Sequence, residues 1–214
     1  MTTQLNIYNA ALGFLGERSL ATLSDNTEPR RTLDTYWTQV RDYCLGQGHW
    51  KFAKRRVKID PSVTEIPTFG YRRAFDKPTD FIRLSELASD EYFNSPLSQF
   101  DERGAFWYAD IESIYVGYIS KDASFGYNID LWPETFTFYL ELQLAVLTAA
   151  RLAPEMKRET IEARAGMGLD EAKKNALSKD AVQGPTQFLP PGKWTSARRN
   201  RSSPRNSRIS LYGS

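Results

Sequence analysis

The chain has one cysteine and one histidine among its 214 residues. A lone Cys44 cannot form an internal disulfide, and a lone His49 excludes most zinc sites and most Cys/His or Ser/His/Asp catalytic groups. Cys44 lies at helical spacing among apolar residues, so its expected role is core packing. We expect no metal, no cofactor and no catalysis of these classes.

The sequence also lacks the marks of export and membrane insertion. No basic residue precedes the first apolar stretch, so no signal peptide is expected and synthesis is expected to be intracellular. The most apolar segment, 133–153, contains two glutamates, a glutamine and an arginine. Each central charge costs roughly 2.5–3.5 kcal/mol in a bilayer, so this segment is predicted to be a buried helix and not a membrane span.

Acidic residues are missing from the end of the chain. From Ala181 onward there are six basic residues and no acid, which leaves 22 basic and 26 acidic residues in the remainder. The composition of 183–214 cannot bury enough apolar surface to offset the entropy of ordering, so it predicts an extended basic arm that needs its own partner.

Hydrophobic periodicity predicts helices on both sides of a central β region. The first two helices, within 1–49, carry their apolar residues at Leu5, Tyr8, Leu12 and Leu15, and at Leu33, Trp37, Val40 and Cys44. The C-terminal helices, within 131–182, comprise the buried segment and a charged helix over 157–182 that is expected to break or bend at Gly166 and Gly168.

Short aromatic and β-branched runs between residues 50 and 130 are cut by prolines and glycines, which is typical of strands and turns. The candidate strands are WKFAKRRVKI, FGYRRAF, DFIRLSEL, AFWYA and SIYVGYI. The predicted fold class is α+β: a bundle of about four helices with an inserted antiparallel β region and an extended C-terminal arm.

Sequence motifs for catalysis are weak. GQGHW, GMGLD and PPGKW lack the glycine order and lysine of nucleotide-binding loops. Carboxylate pairs such as Asp101 with Glu102 and Asp110 with Glu112 are more often solvated than catalytic. The basic, aromatic stretches 49–58 and 70–75 allow two interpretations: contact with nucleic acid, or aromatic residues in the core with the charges solvated or facing acidic neighbours.

Four stretches resemble the phage head-to-tail adaptor family, which includes tail tubular protein A of short-tailed phages. They are AALGFLGERSLATLSD, HWKFAKRR, FGYRRAFDKPTDFIRL and WYADIESIYVGYI. They follow one another in the family's order and the likeness covers residues 5 to about 180. Lys77 stands where a leucine usually precedes the Pro78–Asp80 turn, and residues past Gln183 match no family pattern.

The resemblance implies a non-enzymatic ring of subunits, expected to number twelve, beneath the phage portal. Such a ring prolongs the channel for genomic DNA and holds the tail nozzle, so the expected location is the virion head-tail junction, after assembly in the host cytoplasm. The alternative from a different class is a nucleic-acid-binding protein that uses the basic tail. A cell-wall hydrolase would need a defined carboxylate pair, which the sequence does not identify.

The adaptor hypothesis assigns three sets of contact residues. The arm is expected to bind the portal through Trp194, Arg198, Arg199, Arg201, Arg205, Arg208, Ile209, Leu211 and Tyr212, although these arginines could instead face DNA. Polar loops are expected to face the tail nozzle through Asn94, Gln99, Asp101, Glu102, Arg103, Lys121, Asp122 and Asn128. Contacts between subunits are expected at Ala165, Leu169, Ala172 and Ala176, where small residues allow close helix approach.

Overall fold

The computed structural model describes residues 2–182, which adopt the predicted α+β fold. This part has five α-helices and two three-stranded antiparallel sheets. The helices are α1 (Gln4–Leu15), α2 (Glu28–Gly46), α3 (Glu134–Leu152), α4 (Arg158–Ala165) and α5 (Leu169–Val182). The strands are β1 (Lys54–Ile59), β2 (Arg73–Asp76), β3 (Phe81–Ala88), β4 (Asp101–Arg103), β5 (Phe106–Ala109) and β6 (Ile114–Ser120). The predicted arm, 183–214, lies outside the described residues.

Local sequence signals set the helix ends. The Thr3 hydroxyl caps α1 by accepting the amide of Asn6 at 3.3 Å, and Gly16 ends it in the left-handed region at φ +76°. Gly166 ends α4 in the same way at φ +72°. The single helix predicted over 157–182 is therefore two helices, with the break at the predicted glycines.

The helix α3 forms the centre of the helical core and contacts each of the other four helices. Its apolar residues cover most of its girth, so it needs neighbours on several sides. Aromatic residues pack where α3 meets the segment that follows α2. The ring centroids of Trp50 and Phe136 are 4.9 Å apart, and those of Trp132 and Phe136 are 5.3 Å apart. Trp50 and Phe136 are fully buried.

The stripe of small residues on α4 and α5 packs with the helical core of its own chain. Ala172 and Ala176 are each 1% exposed, and Leu169 is 9% exposed, within the same core cluster as α3. Ala165 packs against that cluster from its edge. The side chains of Leu169, Ala172 and Ala176 therefore cover the apolar surface of α3, whereas Ala165 is half-buried. A contact between these four residues and a neighbouring subunit stays a prediction.

The β region consists of two sheets, with strand order β1-β6-β3 in the first and β2-β5-β4 in the second. Strand β6 places Ile119 in the helical core, whereas Ile114, Val116 and Tyr118 on its other face pack with Phe75 and Trp107 of the second sheet. One face of β6 therefore meets the helices and the other meets the second sheet. The sequence predicted five of the six strands in residues 2–182. Strand β4 was missed because Asp-Glu-Arg has no apolar alternation.

Candidate interaction surfaces

The basic segment at the start of the β region is engaged within the chain. Trp50 is fully buried, and the backbone amide of Lys51 donates to Asp180 at 2.9 Å. The ion pairs are Lys54 with Glu86 at 3.7 Å, Arg55 with Asp80 at 3.0 Å and Arg56 with Glu86 at 2.7 Å. Of the two interpretations, the geometry supports core packing with acidic neighbours and leaves fewer free charges for nucleic acid.

The second basic stretch, 70–75, is tied to the turn between β5 and β6. The backbone amide of Arg72 donates to the Asp110 carboxylate at 2.7 Å, and the Arg73 guanidinium donates to the backbone oxygen of Ile111 at 3.2 Å. Phe75 is fully buried between the sheets. Asp110 therefore closes a turn, which is a structural role.

Asp80 lies where the Pro78–Asp80 turn meets both β1 and β6. Its carboxylate accepts hydrogen bonds from the Arg55 guanidinium at 3.0 Å, the Tyr118 hydroxyl at 2.9 Å and the Ser120 hydroxyl. Burial alone would raise its pKa, but the bonds from Ser120, Tyr118 and Arg55 outweigh burial and lower the pKa. This network fixes the Pro78–Asp80 turn to the first sheet.

Outside the Asp80 network, Cys44, His49 and Glu141 have shifted pKa values at separate places in the fold. Cys44 lies on α2 and is fully buried, and burial raises the pKa of its thiol. Desolvation, Arg83 and Lys54 lower the pKa of His49 in the turn after that helix. Burial raises the pKa of Glu141 to about 7. Within residues 2–182, no cluster of three His, Cys, Asp or Glu side chains is placed to hold a metal ion.

The structure places the predicted nozzle-facing residues near both ends of β6, and their contact with a nozzle stays a prediction. Asn94 follows the Ala88 end of β3, which pairs with Tyr115, whereas Lys121 follows Ser120 at the other end of β6. Those ends are five residues, or about 17 Å, apart along the strand. Gln99 is exposed just before β4, and Asp122 and Asn128 are half-buried near Lys121.

The sequence predicted a polar loop at Asp101, Glu102 and Arg103, and this prediction is wrong. These residues form β4, paired with β5 through Asp101 opposite Tyr108 and Arg103 opposite Phe106. Glu102 pairs with the Lys77 ammonium at 2.6 Å. Their polar side chains suit the exposed edge of a sheet, which explains why composition alone indicated a loop.

An exposed apolar loop, residues 60–72 between β1 and β2, was not predicted as a functional feature. Val63 is 92% exposed, Ile66 77% and Phe69 80%. The loop is nevertheless held, because the Ser62 amide donates to the Ala74 oxygen at 2.7 Å. The signal that could have identified it is a set of large apolar residues three apart around Pro67, without strand alternation. We call this feature the apolar loop.

A second surface is an edge cleft of about 430 Å³ along β3. Its lining combines Ser85 and Glu86 with the apolar residues Leu84, Leu87, Ala88, Phe93, Pro96, Leu97 and Phe100. Phe93 has a left-handed backbone at φ +57°, and its ring lies 4.5 Å from the Arg56 guanidinium carbon. Asp90 fixes the turn by accepting the Ser95 amide at 2.7 Å.

The residues predicted to bind the portal, between Trp194 and Tyr212, lie outside the part of the chain that the structure describes. Among the helices of residues 2–182, none combines the length and apolarity needed to cross a bilayer. No protein-family model matches the chain, and no curated protein matches its sequence. Function is therefore inferred from the motifs and from the surfaces described above.

Proposed function

We propose that this protein is a structural head-to-tail adaptor of a phage virion. Copies of the chain form a ring under the portal, extend the DNA channel and give the tail nozzle its attachment platform. The observation that carries the proposal is the exposure of Val63, Ile66 and Phe69 on the apolar loop of the β region. Large apolar patches on a folded chain are characteristic of protein contacts.

The four family-like stretches support the proposal because they occupy consecutive junctions of one fold. The first covers the second half of α1 and the following turn. The Asn9 side chain, just before this stretch, holds the turn by accepting the amide of Leu20 at 2.8 Å and donating to its oxygen at 3.1 Å. The second leads into β1, the third spans β2, the Asp80 turn and the first half of β3, and the fourth covers most of β5 and β6. These stretches link the helices to the sheets.

Ring formation also agrees with the positions of the two surfaces. A closed ring needs a heterologous contact, in which one patch of a subunit meets a different patch of its neighbour. The apolar loop adjoins β1 and β2, whereas the edge cleft adjoins β3 and leads into β4. Strand β6 lies between β1 and β3, and Arg56 of β1 reaches across it to Glu86 and Phe93 of the cleft.

The basic arm is proposed to fasten the ring to the portal. Its arginines would pair with acidic groups of the portal, and Ile209, Leu211 and Tyr212 would add apolar anchors or a short augmenting strand. The ring, with twelve copies expected, would lie at the head-tail junction, with genomic DNA passing through its channel. Neither a cofactor nor a catalytic step is part of this function.

The test is binding to purified portal rings, measured by the mass of the complex. Three proteins are compared: the full chain, the chain truncated after Gln183, and a full-length variant with glutamine at the five arginines from Arg198 to Arg208. We expect the full chain to add in a fixed multiple, and the other two to bind weakly.

Equal binding by the truncated chain would rule out the arm as the portal contact. The alternative function makes a different prediction for the same proteins. If none bound the portal and the full chain bound duplex DNA with an affinity that falls steeply with salt, the nucleic-acid function would replace the adaptor function.

A further inference from the structure

We infer that one face of the first sheet binds the phosphate backbone of duplex DNA. This face is the side of the sheet that meets the helices at Ile119, and it carries the cations Lys54, Arg56, Lys58 and Arg83. We call it the basic face. The contact is made through charge and therefore has no sequence preference. A position of this face in the DNA channel rests on the proposed function.

Strand pairing places the four cations on the same side of the sheet. Ile119 of β6 lies in the helical core, and its partners on either side are Lys54 of β1 and Arg83 of β3. Side chains at directly paired positions project to the same face. Arg56 and Lys58 follow Lys54 at every second residue, so they share that face as well.

Beyond Ile119 the basic face is open to solvent. The side chains of Arg56 and Lys58 are 57% and 52% exposed, and Arg83 is also exposed. Between the outer strands, β6 contributes Gly117 and the half-buried Tyr115. The core of a protein contact is usually apolar and depleted in lysine, whereas cations surround a glycine and a tyrosine here. This composition favours a polyanion over a protein surface.

The ion pairs of the basic face leave it positively charged. Glu86 pairs with both Lys54, at 3.7 Å, and Arg56, at 2.7 Å, so one carboxylate serves two cations. Asp60 pairs with Lys58 at 3.3 Å. Exposed pairs of this kind contribute about 0–1 kcal/mol each, so phosphates can replace the carboxylates at little cost.

Arg83 has the least neutralised charge of the four cations. Its one side-chain hydrogen bond among the described residues goes to the backbone oxygen of Gly46, at 2.9 Å. A guanidinium has five N–H groups, so donors remain for a phosphate. Close by, the Lys173 ammonium donates to the side-chain oxygen of Gln47 at 2.6 Å. Neutral acceptors thus hold two cations at the turn after α2.

The exposed His49 in that turn reports the local field. Desolvation, and then the charges of Arg83 and Lys54, lower the pKa of its imidazole. The charged groups that act on this ring are therefore cations. The positive field is a local feature, because the chain before Ala181 has 22 basic and 26 acidic residues.

The spacing of the cations suits a phosphate backbone. Side chains at every second residue of β1 are about 7 Å apart, and β1 and β3 are about 10 Å apart across β6. The first distance is similar to the separation of neighbouring phosphates along a DNA strand. A straight row of lysine and arginine can therefore follow the backbone and position the duplex without reading its bases.

The first test is the salt dependence of DNA binding by the full chain. The variant R56Q/R83Q removes two cations from the basic face. The matched control R18Q/R31Q removes two exposed arginines from the turn after α1 and from α2. Fluorescence anisotropy with a short labelled duplex gives the association constant K at several salt concentrations.

Each phosphate contact contributes about 0.9 to the slope of log K against log salt concentration. The slope should therefore fall in magnitude by about 1.8 for R56Q/R83Q and stay unchanged for R18Q/R31Q. The basic arm is identical in the three proteins, so its contribution cancels in the comparison. Circular dichroism checks that each variant keeps its fold.

A variant that tightens binding excludes a folding defect as the explanation. E86Q removes the carboxylate that competes with phosphate for Lys54 and Arg56, so its affinity for the duplex should rise several-fold at low salt. E17Q removes one exposed carboxylate from the turn after α1 and should bind DNA like wild type.

The lone histidine gives a readout of the place of binding. His49 is the one histidine of the chain, so its imidazole NMR signal is identified without further assignment. Duplex DNA should shift this signal and raise the pKa of the ring, because phosphates offset the charges of Arg83 and Lys54. The shift should be much smaller in R56Q/R83Q. DNA bound elsewhere on the chain would leave the signal in place.

The outcomes separate this inference from the proposed function. An unchanged salt slope for R56Q/R83Q, or a His49 signal that DNA does not move, would overturn the basic face as a DNA contact. Loss of portal binding by R56Q/R83Q with normal DNA binding would also overturn it, because the partner would then be an acidic protein surface. If the DNA results hold but wild-type protein does not bind portal rings, the DNA contact stands and the adaptor function fails. If wild-type protein rings the portal but the DNA results fail, the adaptor function stands alone.

Discussion

Replacing Asp80 is expected to destabilise the junction between the Pro78–Asp80 turn and the first sheet. D80A would leave the hydroxyls of Tyr118 and Ser120 without their acceptor, and both residues are buried. An unsatisfied buried hydroxyl costs about 1–3 kcal/mol. The Arg55 side chain is 37% exposed and can regain water, so its loss adds less.

Together these losses give an expected decrease of about 3 kcal/mol in the free energy of unfolding. For a domain of this size, that corresponds to a Tm lower by about 6–12 °C. D80N keeps the shape and one acceptor oxygen, so a smaller decrease of about 1–2 kcal/mol is expected. Urea denaturation, followed by tryptophan fluorescence, measures both.

The pH dependence gives an independent check. The pKa of Asp80 is lowered in the folded protein, so the folded state favours its ionised form. The resulting stability is present above the unfolded-state pKa of about 4 and is lost as the pH falls through the folded-state pKa. The difference between wild type and D80N should therefore shrink below about pH 4.

Asp60 provides the matched control. Its side chain is 73% exposed and pairs with Lys58 at 3.3 Å, so D60A should cost under about 0.5 kcal/mol. Equal unfolding free energies for D80A and D60A would refute the assignment of Asp80 as a structural link.

Three further predictions concern other parts of the fold. G126A should lower the free energy of unfolding by about 2–3 kcal/mol, because its new Cβ would collide with the backbone oxygen of Ser120. G13A has open space around the new Cβ and should raise the free energy of unfolding by about 0.5–1 kcal/mol. Urea denaturation that ranks G126A as the more stable variant would contradict both. Burial raises the pKa of Glu141 to about 7, so its ionisation opposes folding as the pH rises from about 4.5 to 7. E141Q should therefore raise the free energy of unfolding by about 1–2 kcal/mol at pH 8 and by much less at pH 5. A difference that does not change with pH would contradict this. The buried Cys44 thiol should react with Ellman's reagent only as the protein unfolds, and rapid reaction in buffer would show that its helix opens.

The helices and most strands were predictable because their signals are local. Leu33, Trp37, Val40 and Cys44 recur at helical spacing and line the buried face of α2. Ile114, Val116 and Tyr118 alternate along β6 and face the second sheet. Such periodicity follows from the repeat of a helix or strand and needs no knowledge of distant residues.

The interaction surfaces were less predictable because burial depends on distant partners. The small residues Ala172 and Ala176 are equally suited to packing against a neighbour or against α3, and only the packed fold assigns them to α3. Exposure of Phe69 is similarly invisible in the sequence, where an aromatic residue between turns resembles a core residue.

The sequence alone determined the α+β class, the order of the helices around the β region and the division of charge between body and arm. The tertiary structure decided which strands pair, which acid neutralises each base and which apolar groups remain outside. Arg55 meets Asp80, and Arg56 meets Glu86, across 25 and 30 residues. Such contacts depend on non-local strand pairing, which the periodicity of each strand leaves open.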